Sequence, residues 1–239
     1  MTLLTGILRL CWTLSCGAAA FALFRSFQLR LHRAYPAFTT FLIVIVAQYL
    51  ALVWLKVTSD TYRIVWMYCE PVIGLGLAAM AVEAWVRLTG TLPVDRHLWA
   101  MIGSGLMALG VIVSLLSSEL DNAWWDGALQ FAIWSRRYLA STFAVGLAAA
   151  AIIARTLGAR FGNAAARNVR LHVILLIIYL FVTSSGFIVI NARSGQSSGI
   201  IDIAMSLLFG AVFAFWGVGM KSEADPPEET VPNPAAAAI

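Results

Sequence analysis

From Leu3 to Met220 the chain is a succession of apolar runs, each close to the ~20 residues that an α-helix needs to cross bilayer hydrocarbon. Seven can be drawn, at about 3–23, 37–55, 64–86, 98–117, 132–154, 171–190 and 199–220. In hydrocarbon every backbone N–H and C=O needs a partner within the protein, so a spanning chain is either helical or a closed barrel. The runs lack the period-two alternation of barrel strands. The expectation is therefore an all-α, polytopic seven-transmembrane-helix bundle. The segments between runs leave little chain for a soluble domain. The charged fraction is 12%, against about a quarter in soluble domains. The segment 221–239 is acidic, then rich in Pro and Ala, and is expected to be a disordered tail.

Orientation follows from Lys and Arg beside the runs. After the first, third, fifth and seventh runs come Arg25, Arg30, Arg33, Arg87, Arg96, Arg155, Arg160, Arg167, Arg170 and Lys221. The other side offers only Lys56, Arg63 and Arg193. Ten cations against three place the N-terminus outside and the C-terminus in the cytoplasm. The first run is expected to stay as a span, because its positive charges follow the apolar core instead of preceding it. The formal net charge of +4 resides in these short segments, where headgroups account for it, so no nucleic-acid partner is expected. The lipid bilayer is the expected partner. Small residues spaced by four, Ala100, Ser104 and Ala108 on the fourth run and Gly146 and Ala150 on the fifth, are expected to let neighbouring helices approach closely.

One carboxylate lies deep in an apolar run. Glu70 stands seven residues beyond Arg63, about 10 Å along a helix, and is followed by Pro71, which supplies no backbone donor. An ionisable group at that depth is costly and normally has a partner or a task. Other runs place polar groups at a similar level: Arg9 on the first, Gln48 on the second, Arg136 and Arg137 at the mouth of the fifth, and Asp202 on the seventh. Trp66, one turn from Glu70 on the same face, would wall such a site. The plainer alternative is a register-fixing ion pair, Arg136 or Arg137 with Glu70, while Arg9 snorkels outward. Glu83 stands four residues before Arg87, and a helix-end pair between the two is the expected role. Thr183, Ser184, Ser185 and Gly186 on the sixth run are expected to join helices.

Familiar chemistries lack their residues. A retinal Schiff base needs a lysine within the bundle, and Lys56 and Lys221 both stand at run ends. His32, His97 and His172 fall near one boundary without HxxxH or HExxH spacing, so neither haem nor metal is expected. Cys11, Cys16 and Cys69 lie in apolar runs without a CxxC and are expected to be inert thiols. No group stands ready to activate Ser104. No cofactor and no enzymatic activity are expected.

The order of marks resembles a known group. Tyr35-Pro36-x-Phe38 opens the second run, Tyr62-x-x-x-Trp66-x-x-x-Glu70 follows, then Glu83, then Arg136 or Arg137. The pattern is similar to that of uncharacterised bacterial seven-helix membrane proteins of comparable length. That group carries an acidic residue before the arginine, where this chain has Ser135. The resemblance implies a bacterial inner-membrane location and a seven-span fold, and no activity. The functional expectation is a sensor or receptor-like module with an outward-facing polar site and a membrane or cytoplasmic partner protein. A small-solute or ion transporter and a structural subunit of a membrane complex are the rivals. The apolar stretch 72–82 argues against a polar track on the third run.

Overall fold

The computed structural model describes residues 3–55, 59–90, 96–117, 138–152, 164–192 and 198–222. Among them the chain is helical, with no strand. The helices are α1 (Leu3–Gln28), α2 (Leu31–Ala34), α3 (Pro36–Val53) and α4 (Asp60–Thr89). They continue with α5 (Arg96–Ser117), α6 (Tyr138–Ile152), α7 (Ala164–Ala192) and α8 (Ser198–Gly219). Five contain stretches long and apolar enough to cross a membrane: Gly6–Gln28, Pro36–Val53, Asp60–Thr89, Arg167–Gly186 and Gly199–Gly219. Shorter apolar helices cover His97–Ile112 and Tyr138–Ile152. The chain is thus a helical protein suited to a bilayer. Arg136 and Arg137, the acidic loop 119–126 and the segment beyond Ser222 lie outside the described residues.

Local signals explain several ends. Ser59 caps α4, its Oγ accepting from the Tyr62 amide at 3.2 Å, and Asp60 adds negative charge to the first turn. Helix α3 starts on Pro36, whose fixed φ suits a first turn and whose missing N–H is no loss there. The one-turn α2 was not visible as periodicity, because four residues cannot show a helical repeat. It is entered through Arg30 in the left-handed region, at φ 55°.

Helices α1 and α8 lie parallel, Ser15 meeting Ser206 and Arg25 meeting Gly217, and form the most extensive pair. Close backbone approach makes that pair: Gly210 rests on Ser15, and Gly217 on Phe21 and Ala22. The Ser15 hydroxyl donates to the Ser206 carbonyl across the same seam. Between α3, α7 and α8 runs a buried column of rings. Tyr179 meets Phe209, Phe41 and Phe213 at centroid distances of 4.6, 5.7 and 5.7 Å. Trp216 meets Phe38 at 4.9 Å, and such pairs contribute about 0.5–1.5 kcal/mol each beyond area. In lipid this packing, more than any hydrophobic drive, holds helices together.

Helix α5 joins α4 through Trp85, whose Nε1 donates to the Trp99 carbonyl at 3.1 Å. The small residues expected to mediate that approach do not. Ala100, Ser104 and Ala108 are exposed, and Gly103 and Gly110, about a third of a turn round the helix, meet Trp85 and Leu139 instead. A spacing of four marks a face without saying which face turns inward. On α6 the expectation holds: Gly146 sits against Leu106 and Ala150 is buried.

Candidate functional site

The polar groups divide between the two ends of the bundle. At one end, Tyr62, Trp66 and Glu70 lie on successive turns of α4, and Asp202 begins the second turn of α8. Glu70 is 2% exposed, the most deeply buried carboxylate among the described residues. Pro71 leaves α4 unbroken but removes one backbone bond beside it. Both Glu70 and Asp202 act electrostatically on the Tyr62 hydroxyl. Tyr62 thus feels carboxylates from two helices that are far apart in sequence. Trp12 of α1 stacks on the Tyr62 ring, with centroids 6.1 Å apart and planes 7° from parallel.

The expected layer is thus assembled in part. Arg9 turns to α3, its Nη2 reaching the Leu55 carbonyl at 3.4 Å, where it serves the exposed carbonyls of a helix end. Gln48 and Trp66 are half-buried at the same end. Asp202 is half-buried, and its backbone carbonyl accepts from the Ser206 hydroxyl at 2.7 Å. Tyr62 and Trp12 were not among the expected site residues. Tyr62 stands in the same i, i+4 series as Trp66 and Glu70, and that series was the available signal. Two carboxylates that act on one phenol offer charge and hydrogen-bonding groups to a polar ligand.

The floor below is apolar. Ile73, Leu77 and Met80 of α4 and Phe41 of α3 are all buried. On α7, Ser184 bonds Ser141 of α6 and Ser185 bonds the Phe181 carbonyl at 2.6 Å, so these hydroxyls serve the helices. Thr183 is fully buried, and its hydroxyl has no hydrogen-bond partner among the described residues.

The other end is rich in arginine, and here one expectation is corrected. Glu83 does not serve mainly as a helix-end partner for Arg87. Its carboxylate crosses to α3 and accepts the Ala37 and Phe38 amides at 2.9 and 3.3 Å. The reason is local: α3 has neither an acidic residue in its first turn nor a capping side chain at Tyr35. Its open amides carry the positive end of the helix dipole and draw the anion. Arg87 lies over the Tyr35 ring, 4.2 Å from its centroid, and still acts on Glu83 electrostatically. Tyr35, Pro36, Phe38 and Glu83, marks of the family-like pattern, thereby meet at one place.

Beside this junction His172 is fully buried among Tyr35, Phe38 and Trp216, at 5.2, 5.2 and 5.8 Å. Neither of its ring nitrogens has a hydrogen-bond partner among the described residues. His32 lies against Phe27 at 5.2 Å. Among the described residues no three His, Cys, Asp or Glu side chains gather as metal ligands. Neither the sequence nor the fold matches a family model, a characterised protein or a solved structure.

Proposed function

We propose that this chain is a sensor or receptor-like integral membrane protein whose carboxylate end takes a polar ligand or a proton. In this reading α5 and α6 complete seven spans and the carboxylate end faces outward. The C-terminus lies in the cytoplasm, and the membrane is a bacterial inner membrane, in line with the uncharacterised seven-helix proteins that the chain resembles. One observation carries the reading: Glu70, 2% exposed, acts with Asp202 on the Tyr62 hydroxyl above a buried apolar floor. A carboxylate kept at that depth is costly unless it is used or paired. The floor of Ile73, Leu77 and Met80, with Glu83 beyond it committed to α3, supports a one-sided site over a through-path along α4. This favours a sensor over a carrier.

The test is thiol accessibility. A variant with Cys11, Cys16 and Cys69 replaced by serine receives Trp66→Cys or Glu70→Cys. It is treated with a membrane-impermeant maleimide in right-side-out and inverted vesicles. Labelling from the exterior alone is expected. Labelling from the cytoplasmic side would reverse the orientation, and equal labelling from both sides would replace the sensor with a carrier.

A further inference from the structure

Helix α7 is the most enclosed of the five helices long enough to span a membrane, and it keeps one narrow face open. From residue 167 to 181 its exposed positions are Arg167, Arg170, Ile174, Ile178 and Phe181, and the residues between them are buried or half-buried. Such alternating steps of three and four residues keep all five on a single stripe of an α-helix. The stripe changes character once. Its first two positions are cations, at the end where the spanning stretch Arg167–Gly186 begins, and the next three are large and apolar. From Arg170 to Phe181 the helix rises about 16 Å. That is close to the ~15 Å of hydrocarbon in one leaflet, half of the bilayer core.

A third cation is fixed beside the first two. Asn168, fully buried on α7, donates through Nδ2 to the Lys221 carbonyl at 2.7 Å and accepts the Lys221 amide on Oδ1 at 3.0 Å. This paired clasp holds the chain leaving α8 against the turn of α7 that lies between Arg167 and Arg170, and Lys221 itself is exposed. The acid that the described residues place at this end is Glu83, and both its oxygens are taken by α3 amides. Among the described residues no acid at this end is left for the three cations.

We infer that the open face of α7 binds an anionic phospholipid, its phosphate on Arg167 and Arg170 beside Lys221 and an acyl chain along Ile174, Ile178 and Phe181. Guanidinium groups suit phosphate because their planar fork gives two parallel N–H donors to its oxygens. A soluble anion would use only the charged half of the stripe. A protein in the aqueous phase would not reach the apolar half, which lies at hydrocarbon depth. A zwitterionic lipid brings its own ammonium to a place that already holds three cations. The site rests on the bilayer placement of α7 and is separate from the ligand reading at the carboxylate end.

The experiment takes the full chain, delipidated in a neutral detergent, with equimolar phosphatidylglycerol and phosphatidylcholine of one chain length, and counts bound lipid by native mass spectrometry. Each basic residue near the surface contributes about fivefold to anionic-lipid binding, so R167Q/R170Q should cut the preference for phosphatidylglycerol about 25-fold. Both arginines are exposed, so the packed interior is spared. R30Q/R33Q removes two other exposed cations from the same end and should leave most of the preference in place. Equal losses in the two double variants would overturn the site in favour of diffuse surface charge, and a wild type without preference would overturn it outright. Glycerol phosphate, which carries the phosphate without an acyl chain, should fail to displace the lipid at equal concentration. Displacement would make the ligand a free phosphate and overturn the lipid.

Discussion

Removing the Glu83 carboxylate should loosen the start of α3. Its two oxygens take the Ala37 and Phe38 amides at 2.9 and 3.3 Å, and α3 has no other cap in its first turn. Hydrogen bonds to a charged group contribute about 1.5–3 kcal/mol each, and the longer of these two belongs at the weak end. Glu83→Ala leaves both amides without a partner in a half-buried site, so the expected loss is about 3 kcal/mol. Glu83→Gln keeps one carbonyl oxygen but loses the charge that complements the helix dipole, for a loss of about 1.5 kcal/mol. At roughly 2–4 °C per kcal/mol for a chain of this size, the alanine variant should melt about 6–12 °C lower. Thermal unfolding in one detergent, followed by intrinsic tryptophan fluorescence, measures both variants beside the wild type. An alanine variant within about 0.5 kcal/mol of wild type, the scatter of an ordinary surface change, would refute the cap. Equal losses for the two variants would refute the division between bond and charge.

Three further outcomes can be checked in the same assay. If Glu70 is held by Arg136 or Arg137, Glu70→Gln alone costs about 3–5 kcal/mol, and adding the matching arginine-to-glutamine change restores part of it. If each double variant merely sums its two losses, the carboxyl is held by another group. Gly217→Ala places a Cβ 2.6 Å from the Phe21 ring and 3.3 Å from the Ala22 Cα, so overpacking should cost about 1–3 kcal/mol; a neutral result means that the Phe21 ring swings aside. Arg30→Gly relieves a left-handed backbone at φ 55° and should stabilise by about 1 kcal/mol, whereas a loss of stability would show that the guanidinium is needed there.

Hydropathy made the helical class legible, because bilayer thickness fixes span length and backbone satisfaction fixes helicity. Charge at depth marked Glu70 equally well, and the i, i+4 series Tyr62, Trp66, Glu70 marked its face. Glu83 was harder. Its partners are backbone amides 45 and 46 residues away, while the local spacing rule pointed to Arg87. The missed clue was α3 itself, a helix opening on Pro36 with nothing to cap it. Counting residues put Asp202 at the level of Glu70, but only the fold shows its electrostatic action on Tyr62. Ala100, Ser104 and Ala108 misled because periodicity fixes a stripe and not its compass direction.

The seam between α1 and α8 carries a consequence for biosynthesis. Ser15 finds the Ser206 carbonyl 191 residues later, and Arg25 reaches the Gly217 carbonyl across 192. At about 5–20 residues per second, roughly 10–40 s separate the synthesis of the two partners. During that interval α1 waits with the face that Gly210 and Gly217 will cover still open. The seam on α1 is closed only when α8 is made, so a ribosome that stalls before α8 leaves behind an open chain that insertion and quality-control machinery can recognise by the bare face of α1.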